Sequence, residues 1–183
     1  MPSSRRRSAA VVLLALGLAL AGCGSSKPAA AKDSDPTAWA GAFCTGISDE
    51  VAAALAFTKA QPTAQSQKDA VLAFVDGSQQ AFASTAHRLD ALGPPRIADG
   101  KRVQDTAVSY FSNTAGTLAG QRPKLAALDP NAPDFVMQLS KLGGPDLTAT
   151  SAQAHDLVSN PELMPAFRAS PECQKLGTAA APR

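Results

Sequence analysis

The stretch "VLAFVDGSQQAFASTAHRLDALGPP", residues 71–95, decides the fold. Its apolar residues recur three or four positions apart and therefore share one face of an α-helix. Small hydroxyl side chains fill the gaps in that face, and Gly93, Pro94 and Pro95 stop the helix. The members of the face are Val71, Phe74, Val75, Ser78, Phe82, Thr85, Leu89 and Leu92. We predict one long amphipathic helix over about residues 64–92.

A first helix is predicted upstream of that stretch. The pair Asp35-Pro36 is typical of a helix start, because the carboxylate caps free N–H groups and proline suits the first helical position. From there an apolar residue recurs at every fourth position, which we interpret as one core-facing stripe over about residues 36–60. Its members are Trp39, Phe43, Ile47, Val51 and Leu55.

A third helix and several shorter ones are predicted downstream. Apolar residues continue at helical spacing from Val103 to Leu128, but Pro123 lies inside the pattern and predicts a kink or a break near Gly120. Beyond Leu128 the helical segments become short. Short connections favour antiparallel neighbours. The predicted fold is all-α: an up-and-down antiparallel bundle of three long helices plus a fourth that is broken into pieces.

The N-terminal segment predicts an export signal and not a part of the bundle. Arginines at residues 5–7 precede an apolar run from Ala9 to Leu20, which fits a secretory signal peptide and is too short to span a bilayer. The run ends in Leu20-Ala21-Gly22-Cys23, which resembles the bacterial lipobox. That resemblance implies that residues 1–22 are removed and that Cys23 carries S-diacylglycerol and N-palmitoyl groups. An ordinary cleavable signal is the alternative.

The expected mature chain has a tether, one domain and a tail. Residues 23–34 lack apolar periodicity, which predicts a flexible tether. Residues 35–177 form the predicted helical domain, and residues 178–183 are expected to be a disordered tail. The leader also contains Ser4-Arg5-Arg6, which is similar to a twin-arginine motif. The apolar residue expected soon after the arginines is missing, so the general secretory route is favoured.

The distribution of charge argues against nucleic acid as a partner. Removing the three leader arginines from the formal net charge of +2 leaves −1 for residues 23–183. The basic character therefore belongs to the leader, and neither nucleic-acid binding nor a polybasic membrane patch is expected. The expected contact with the membrane is the lipid on Cys23, which would hold the domain on the extracytoplasmic face of the cell membrane.

Two cysteines, Cys44 and Cys173, remain for the domain. Outside the cytoplasm such a pair usually forms a disulfide, and this one would close almost the whole domain into a loop. A metal-binding or nucleophilic pair is the alternative, but neither cysteine has a histidine close to it in sequence. We predict a disulfide between Cys44 and Cys173.

Motifs that carry chemistry are incomplete in the sequence. The stretch from Gly93 to Lys101 has too many residues between its glycines for a phosphate-binding loop, and no Ser or Thr follows the lysine. The two histidines, His87 and His155, are isolated, and we interpret both as surface residues. The charged residues at 96–105 are interpreted as a solvated helix face. The sequence therefore predicts no catalytic residue, no cofactor-binding residue and no metal ligand.

Several further features accompany the lipobox: Trp39, Phe43-Cys44, the stretch at 93–101 and Pro171-Glu172-Cys173-Gln174. Together they resemble a family of small secreted lipoproteins of actinobacteria whose function is uncharacterised. The resemblance implies an envelope-anchored helical domain without an established activity. We therefore expect a non-catalytic binding or interaction module, with an envelope protein or a small ligand as its partner. The alternative is a cell-envelope enzyme whose site is assembled around His87 or His155. A solute receptor fits less well, because such receptors are usually two-lobed α/β proteins.

Overall fold

Three long helices make up most of the chain described by the computed structural model, which covers residues 33–57, 62–142 and 155–179. They are α1 (Pro36–Phe57), α2 (Ala64–Leu92) and α3 (Gly100–Ala126). Their connections are short, so neighbouring helices run antiparallel. These ranges contain no β-strand. The predicted all-α, up-and-down bundle is confirmed. Over the same ranges, no helix has the length and apolar character needed to cross a membrane.

The predictions for the N-terminal segment lie almost wholly outside the described residues. These are the signal peptide at residues 1–22, the lipidated Cys23 and the tether up to residue 32. The last tether residue, Ser34, is described, and only 8% of its surface is exposed. Its N–H donates to the carbonyl of Pro94 at 2.7 Å. Ser34 therefore belongs to the folded domain, although it lies one residue before the expected boundary.

Helix α2 has the bounds that the sequence predicts, and both of its ends are capped. At its start the Thr63 hydroxyl accepts a hydrogen bond from the Ser66 N–H at 3.2 Å. At its end Gly93 adopts a φ of 75°, and its N–H donates to the carbonyls of Leu89 and Asp90. Glycine adopts a positive φ at little cost. This turn and the prolines that follow it therefore end the helix.

The stripe predicted for α1 is wrong in its second half. Trp39 and Phe43 are buried, but Val51 is 41% exposed and Leu55 is 59% exposed. Four residues turn an α-helix about 40° more than one full turn, so a strict four-residue repeat winds around the helix. Leu55 is four such steps from Trp39, which places it about 160° away around the axis. The last turns of α1 therefore present apolar side chains at the surface.

Helix α3 continues through Pro123, so the break predicted near Gly120 does not occur. The core face is uninterrupted, since Leu118 and Leu125 are both buried. Proline removes the hydrogen bond to the carbonyl of Ala119, but both Ala119 and Pro123 are exposed. Water can therefore satisfy the freed carbonyl, while the packing of the two leucines keeps the helix continuous.

Aromatic rings fill the centre of the bundle. Phe43 of α1 meets Phe111 of α3 edge to face, with ring centroids 5.4 Å apart. Phe82 of α2 lies 5.8 Å from the same ring. All three side chains are buried. Aromatic pairs of this kind add about 0.5–1.5 kcal/mol beyond the burial of their area. Each long helix thus contributes one ring to a shared contact.

A buried side-chain amide also joins the three long helices. Gln104 of α3 is 7% exposed. Its Oε1 accepts a hydrogen bond from the indole Nε1–H of Trp39 on α1, at 2.6 Å. Its Nε2 donates to the carbonyl of Leu89, near the end of α2, also at 2.6 Å. The amide therefore fixes how far the three helices are shifted along one another.

The predicted fourth helix is broken into pieces, as expected. The pieces are α4 (Phe135–Leu142), a helical turn at 155–158, α5 (Met164–Ala169) and α6 (Pro171–Ala179). Helix α4 packs on α3, whereas α5 and α6 pack on α1. Helix α6 continues two residues past the expected end of the domain at 177. Residues 180–183 of the predicted tail lie outside the described residues.

The predicted disulfide is present and holds the last helix on the first. Cys44 of α1 and Cys173 of α6 have Cα atoms 5.0 Å apart, and 129 positions separate them in sequence. A loop of that size corresponds to about 4–5 kcal/mol of entropic stabilisation as an upper figure. Helix α6 has nine residues. Helices so short are marginal on their own, so the bond secures an element that would otherwise fray.

We predict that Gln104→Leu destabilises the domain by about 1–3 kcal/mol, because the indole N–H of Trp39 is left buried without an acceptor. Urea unfolding of the purified protein measures this loss. Replacing both partners, in the double variant Gln104→Leu with Trp39→Phe, should cost less than the sum of the two single changes.

The matched control is Gln80→Leu, the same change at an exposed position of α2. It should stay within about 0.5 kcal/mol of the wild type. If Gln104→Leu proves as stable as this control, the bridging amide does not support the bundle.

Candidate functional site

Helices α1 and α2 approach each other closely where small residues face each other. A Cβ atom added to Gly46 would collide with the side chain of Thr85, which is fully buried. Further along, a Cβ atom on Gly77 would lie 3.3 Å from the Cβ of Ala53. The missing side chains let the two backbones come together. This close packing brings the polar residues that follow Gly46 against α2.

The carboxyl group of Glu50 is one of these polar groups. Its Oε1 accepts a hydrogen bond from the Ser78 hydroxyl of α2, at 3.1 Å. Its Oε2 is enclosed and has no hydrogen-bond partner among the described residues. Burial raises the pKa of Glu50 above its ordinary value of 4.5, and the Ser78 hydrogen bond opposes part of that rise. The carboxyl group therefore holds its proton more tightly than an exposed glutamic acid does.

Tyr110 of α3 completes this arrangement. Its ring packs edge to face against Phe82, with centroids 6.0 Å apart. Burial raises the pKa of the Tyr110 hydroxyl, and the negative charge of Glu50 raises it further. We call Glu50, Ser78 and Tyr110 the three-helix cluster, because α1, α2 and α3 contribute one group each. Within the cluster, the hydrogen bond between Ser78 and Glu50 joins α1 and α2.

A groove of about 290 Å³ lies between α1 and α2. We call it the α1–α2 groove; its lining includes Asp49, Ala52, Ala53, Gly77, Ala81 and Arg88. Asp49 and Arg88 form an ion pair with 3.4 Å between Oδ2 and Nη2. The pair is partly exposed, so it contributes only about 0–1 kcal/mol to stability. The Nη1 of Arg88 is enclosed and has no hydrogen-bond partner among the described residues.

The two histidines belong neither to the three-helix cluster nor to the α1–α2 groove. His87 is exposed and lines a different depression, between α2 and α3, together with Asp90. His155 is exposed, and its Nε2 lies 3.3 Å from the hydroxyl of Ser159, one helical turn away. No set of three His, Cys, Asp or Glu side chains that could hold a metal ion occurs in the ranges that the structure describes.

The turn between α2 and α3 uses its backbone donors within the protein. The N–H of Arg96 donates to the carbonyl of Ser34 at 3.0 Å. The N–H of Ala98 donates to the carboxylate of Glu162 at 2.8 Å. These donors are therefore occupied, which disfavours a phosphate-binding loop at this position.

The charged face predicted at the start of α3 is present. Lys101 pairs with Asp105, four residues on, at 2.6 Å. Arg102 pairs with Asp99, three residues back, at 2.8 Å. All four side chains are exposed, so the pairs are worth a few tenths of a kcal/mol each.

The comparisons with known proteins add nothing to this picture. No family model matches the sequence, and no curated protein or solved structure is similar to it. The resemblance to actinobacterial lipoproteins therefore stays a prediction that rests on the quoted residues.

The sequence analysis did not identify the polar groups of the three-helix cluster or of the α1–α2 groove as candidate site residues. Ser78 is part of the predicted face of α2, but Glu50, Tyr110 and Arg88 do not stand out in the sequence. One signal lies in the spacing, because Glu50 follows Gly46 by one helical turn and so shares its face. Which residue of α2 meets Glu50 depends on how the helices are shifted, and that shift is visible only in the folded chain.

The raised pKa of Glu50 predicts a pH-dependent stability. Between pH 4.5 and the pKa in the folded state, the folded protein binds more protons at Glu50 than the unfolded chain does. Its free energy of unfolding therefore falls as the pH rises through this window. Glu50→Gln removes this loss, so the variant should gain stability relative to the wild type between about pH 4 and pH 7. Urea unfolding at both pH values measures the difference.

Glu172 is the matched control, because the hydrogen bond from Ser170 lowers the pKa of its carboxyl group. A lowered pKa stabilises the folded state above the unfolded value, and this gain is lost as the pH falls. Glu172→Gln should therefore lose stability relative to the wild type as the pH rises, the opposite of Glu50→Gln. The same sign for both variants would show that the titration of Glu50 is not what the experiment detects.

Proposed function

We propose that the protein is a lipoprotein of the extracytoplasmic face of the cell membrane, anchored by S-diacylglycerol and N-palmitoyl groups on Cys23. We further propose that its helical domain is a non-catalytic binding or interaction module. The support for the anchor is the segment Leu20-Ala21-Gly22-Cys23 behind a charged and apolar leader. The diacylglycerol and N-palmitoyl groups carry three acyl chains, and each buried CH₂ group contributes about 0.8 kcal/mol, so such an anchor would be lasting.

The observation that carries the extracytoplasmic assignment is the disulfide between Cys44 and Cys173. Disulfides form and persist in oxidising compartments and are rare in the cytoplasm, where thiols are kept reduced. Cys44 is buried among the core residues, and its bond joins the two ends of the domain. A structural disulfide in this position supports an exported protein.

The α1–α2 groove supports the second half of the proposal. Arg88 presents an enclosed N–H group without a partner among the described residues, and Asp49 stands beside it with nearly half of its side chain exposed. The exposed carboxylate of Asp49 can accept hydrogen bonds from donor groups of a bound partner. Small side chains at Ala53 and Gly77 leave room for the approach. These features favour recognition over catalysis.

The anchor predicts the fate of a fatty-acid label. In cells fed a clickable fatty acid, the wild-type protein should take up the label and sediment with membranes, whereas Cys23→Ser should do neither. Cys173→Ser makes the same chemical change at a cysteine outside the lipobox and should keep its label. Undiminished label on Cys23→Ser would contradict lipidation at this residue.

The groove predicts where a partner can be captured. Gln80 lines the α1–α2 groove and is exposed. A photo-crosslinking amino acid at position 80, activated in intact cells, should form a discrete adduct that mass spectrometry can identify. Ser109, an exposed residue of α3, is the matched control position and should give none. Equal adducts from both positions, or none from position 80, would argue against the groove as the binding surface.

A further inference from the structure

The polypeptide reaches the bundle at a fixed point, Ser34. Its N–H donates to the carbonyl of Pro94 at 2.7 Å, and its carbonyl accepts from the N–H of Arg96 at 3.0 Å. Its hydroxyl donates to the carbonyl of Gly93 at 3.1 Å. This short parallel pairing ties the start of the domain to the turn between α2 and α3. Whatever precedes Ser34 therefore leaves the domain at one defined place.

That place is at one end of the long axis of the bundle. We call the end formed by Pro36, Leu92 and Gly100 the near end, because Ser34 lies there. The opposite end, where α2 begins and α3 ends, is the far end. There Lys68 donates from its Nζ to the carbonyl of Leu128 at 2.6 Å. Helix α2 has 29 residues, so the two ends are about 43 Å apart.

Covalent geometry limits the distance between the lipid and the near end. Eleven residues lead from Cys23 to Ser34. In any conformation they span at most about 36–40 Å, because an extended chain advances about 3.3–3.6 Å per residue. With the helices upright and the far end on the bilayer, Ser34 would have to stand about 43 Å above it, beyond the reach of the chain.

We infer that the near end faces the membrane and that the far end points away from it. This orientation rests on the proposed lipidation of Cys23. The turn that holds Ser34 then lies next to the lipid headgroups. The exposed apolar side chains of the last turns of α1, Val51 and Leu55, are presented on the half of the domain away from the bilayer.

Charge does not produce this orientation. The two depressions at the near end are lined by three cations, Arg96, Lys101 and Arg102, and by three carboxylates, Asp33, Asp99 and Asp105. Lys101 and Arg102 are paired with two of these carboxylates. Because the charges balance, attraction to anionic lipid is not needed, and the length of chain from Cys23 sets which end is close.

Energy transfer to labelled lipid tests the orientation. The lipidated full-length protein is purified from membranes and placed in phosphatidylcholine vesicles that contain an acceptor dye on some headgroups. A donor dye is attached to a cysteine introduced by Ala98→Cys at the near end or by Asn131→Cys beyond the far end of α3; both positions are exposed. We expect transfer from position 98 to be at least about twice that from position 131, given ends about 43 Å apart. The ratio should persist when anionic phosphatidylglycerol is added.

Two further observations separate the ways in which the inference can fail. Vesicle-bound protein with equal or reversed transfer overturns the orientation and leaves lipidation standing. If the wild-type protein fails to sediment with the vesicles, as expected of Cys23→Ser, then lipidation is overturned and the orientation with it. Inserting twenty Gly and Ser residues after Ser26 extends the reach to about 100–110 Å and should bring the two efficiencies together. A difference that survives this insertion would show that chain length is not what orients the domain.

Discussion

The side-chain amide of Gln104 is the group on which the arrangement of the three long helices depends. It accepts a hydrogen bond from the indole N–H of Trp39 and donates one to the carbonyl of Leu89. One residue therefore satisfies polar atoms from the other two helices. Apolar packing is non-directional and tolerates small shifts of one helix along another. Hydrogen bonds have narrow limits of distance and angle, so they do not tolerate such shifts. Gly46 can meet Thr85, and Glu50 can meet Ser78, only at the helix positions that this bridge maintains.

Local signals in the sequence were enough to predict the helices themselves. Helix α2 was predicted within its observed bounds because its apolar face is continuous and Gly93, Pro94 and Pro95 end it locally. The disulfide was predictable because only two cysteines remain outside the lipobox. The outward turn of Leu55 was missed because a four-residue repeat drifts around the helix. The continuity of α3 at Pro123 was missed because it depends on the packing of residues distant in sequence.

The polar clusters could not be predicted in the same way, and the composition of the interface explains why. Helices α1 and α2 meet through glycine, alanine, serine and threonine, which carry no hydrophobic pattern that marks a contact. Close approach between backbones at Gly46 is what encloses the carboxyl group of Glu50. One oxygen of the Glu50 carboxyl group has no hydrogen-bond partner among the described residues, and burying such an oxygen costs free energy. Nothing in local sequence announces that cost, since it arises only when the helices pack together.

The positions of Cys44 and Cys173 in the sequence also limit when their disulfide can form as the protein is made. A ribosome makes this chain from its N-terminus, so the thiol of Cys44 waits unpaired until 129 further residues have been added. The three long helices end by Ala126, so all of them are synthesised before the partner of Cys44. The disulfide can therefore form only after all three long helices have been made. A chain that stops short of Cys173 keeps an unpaired thiol on its first helix and lacks the link to the last one.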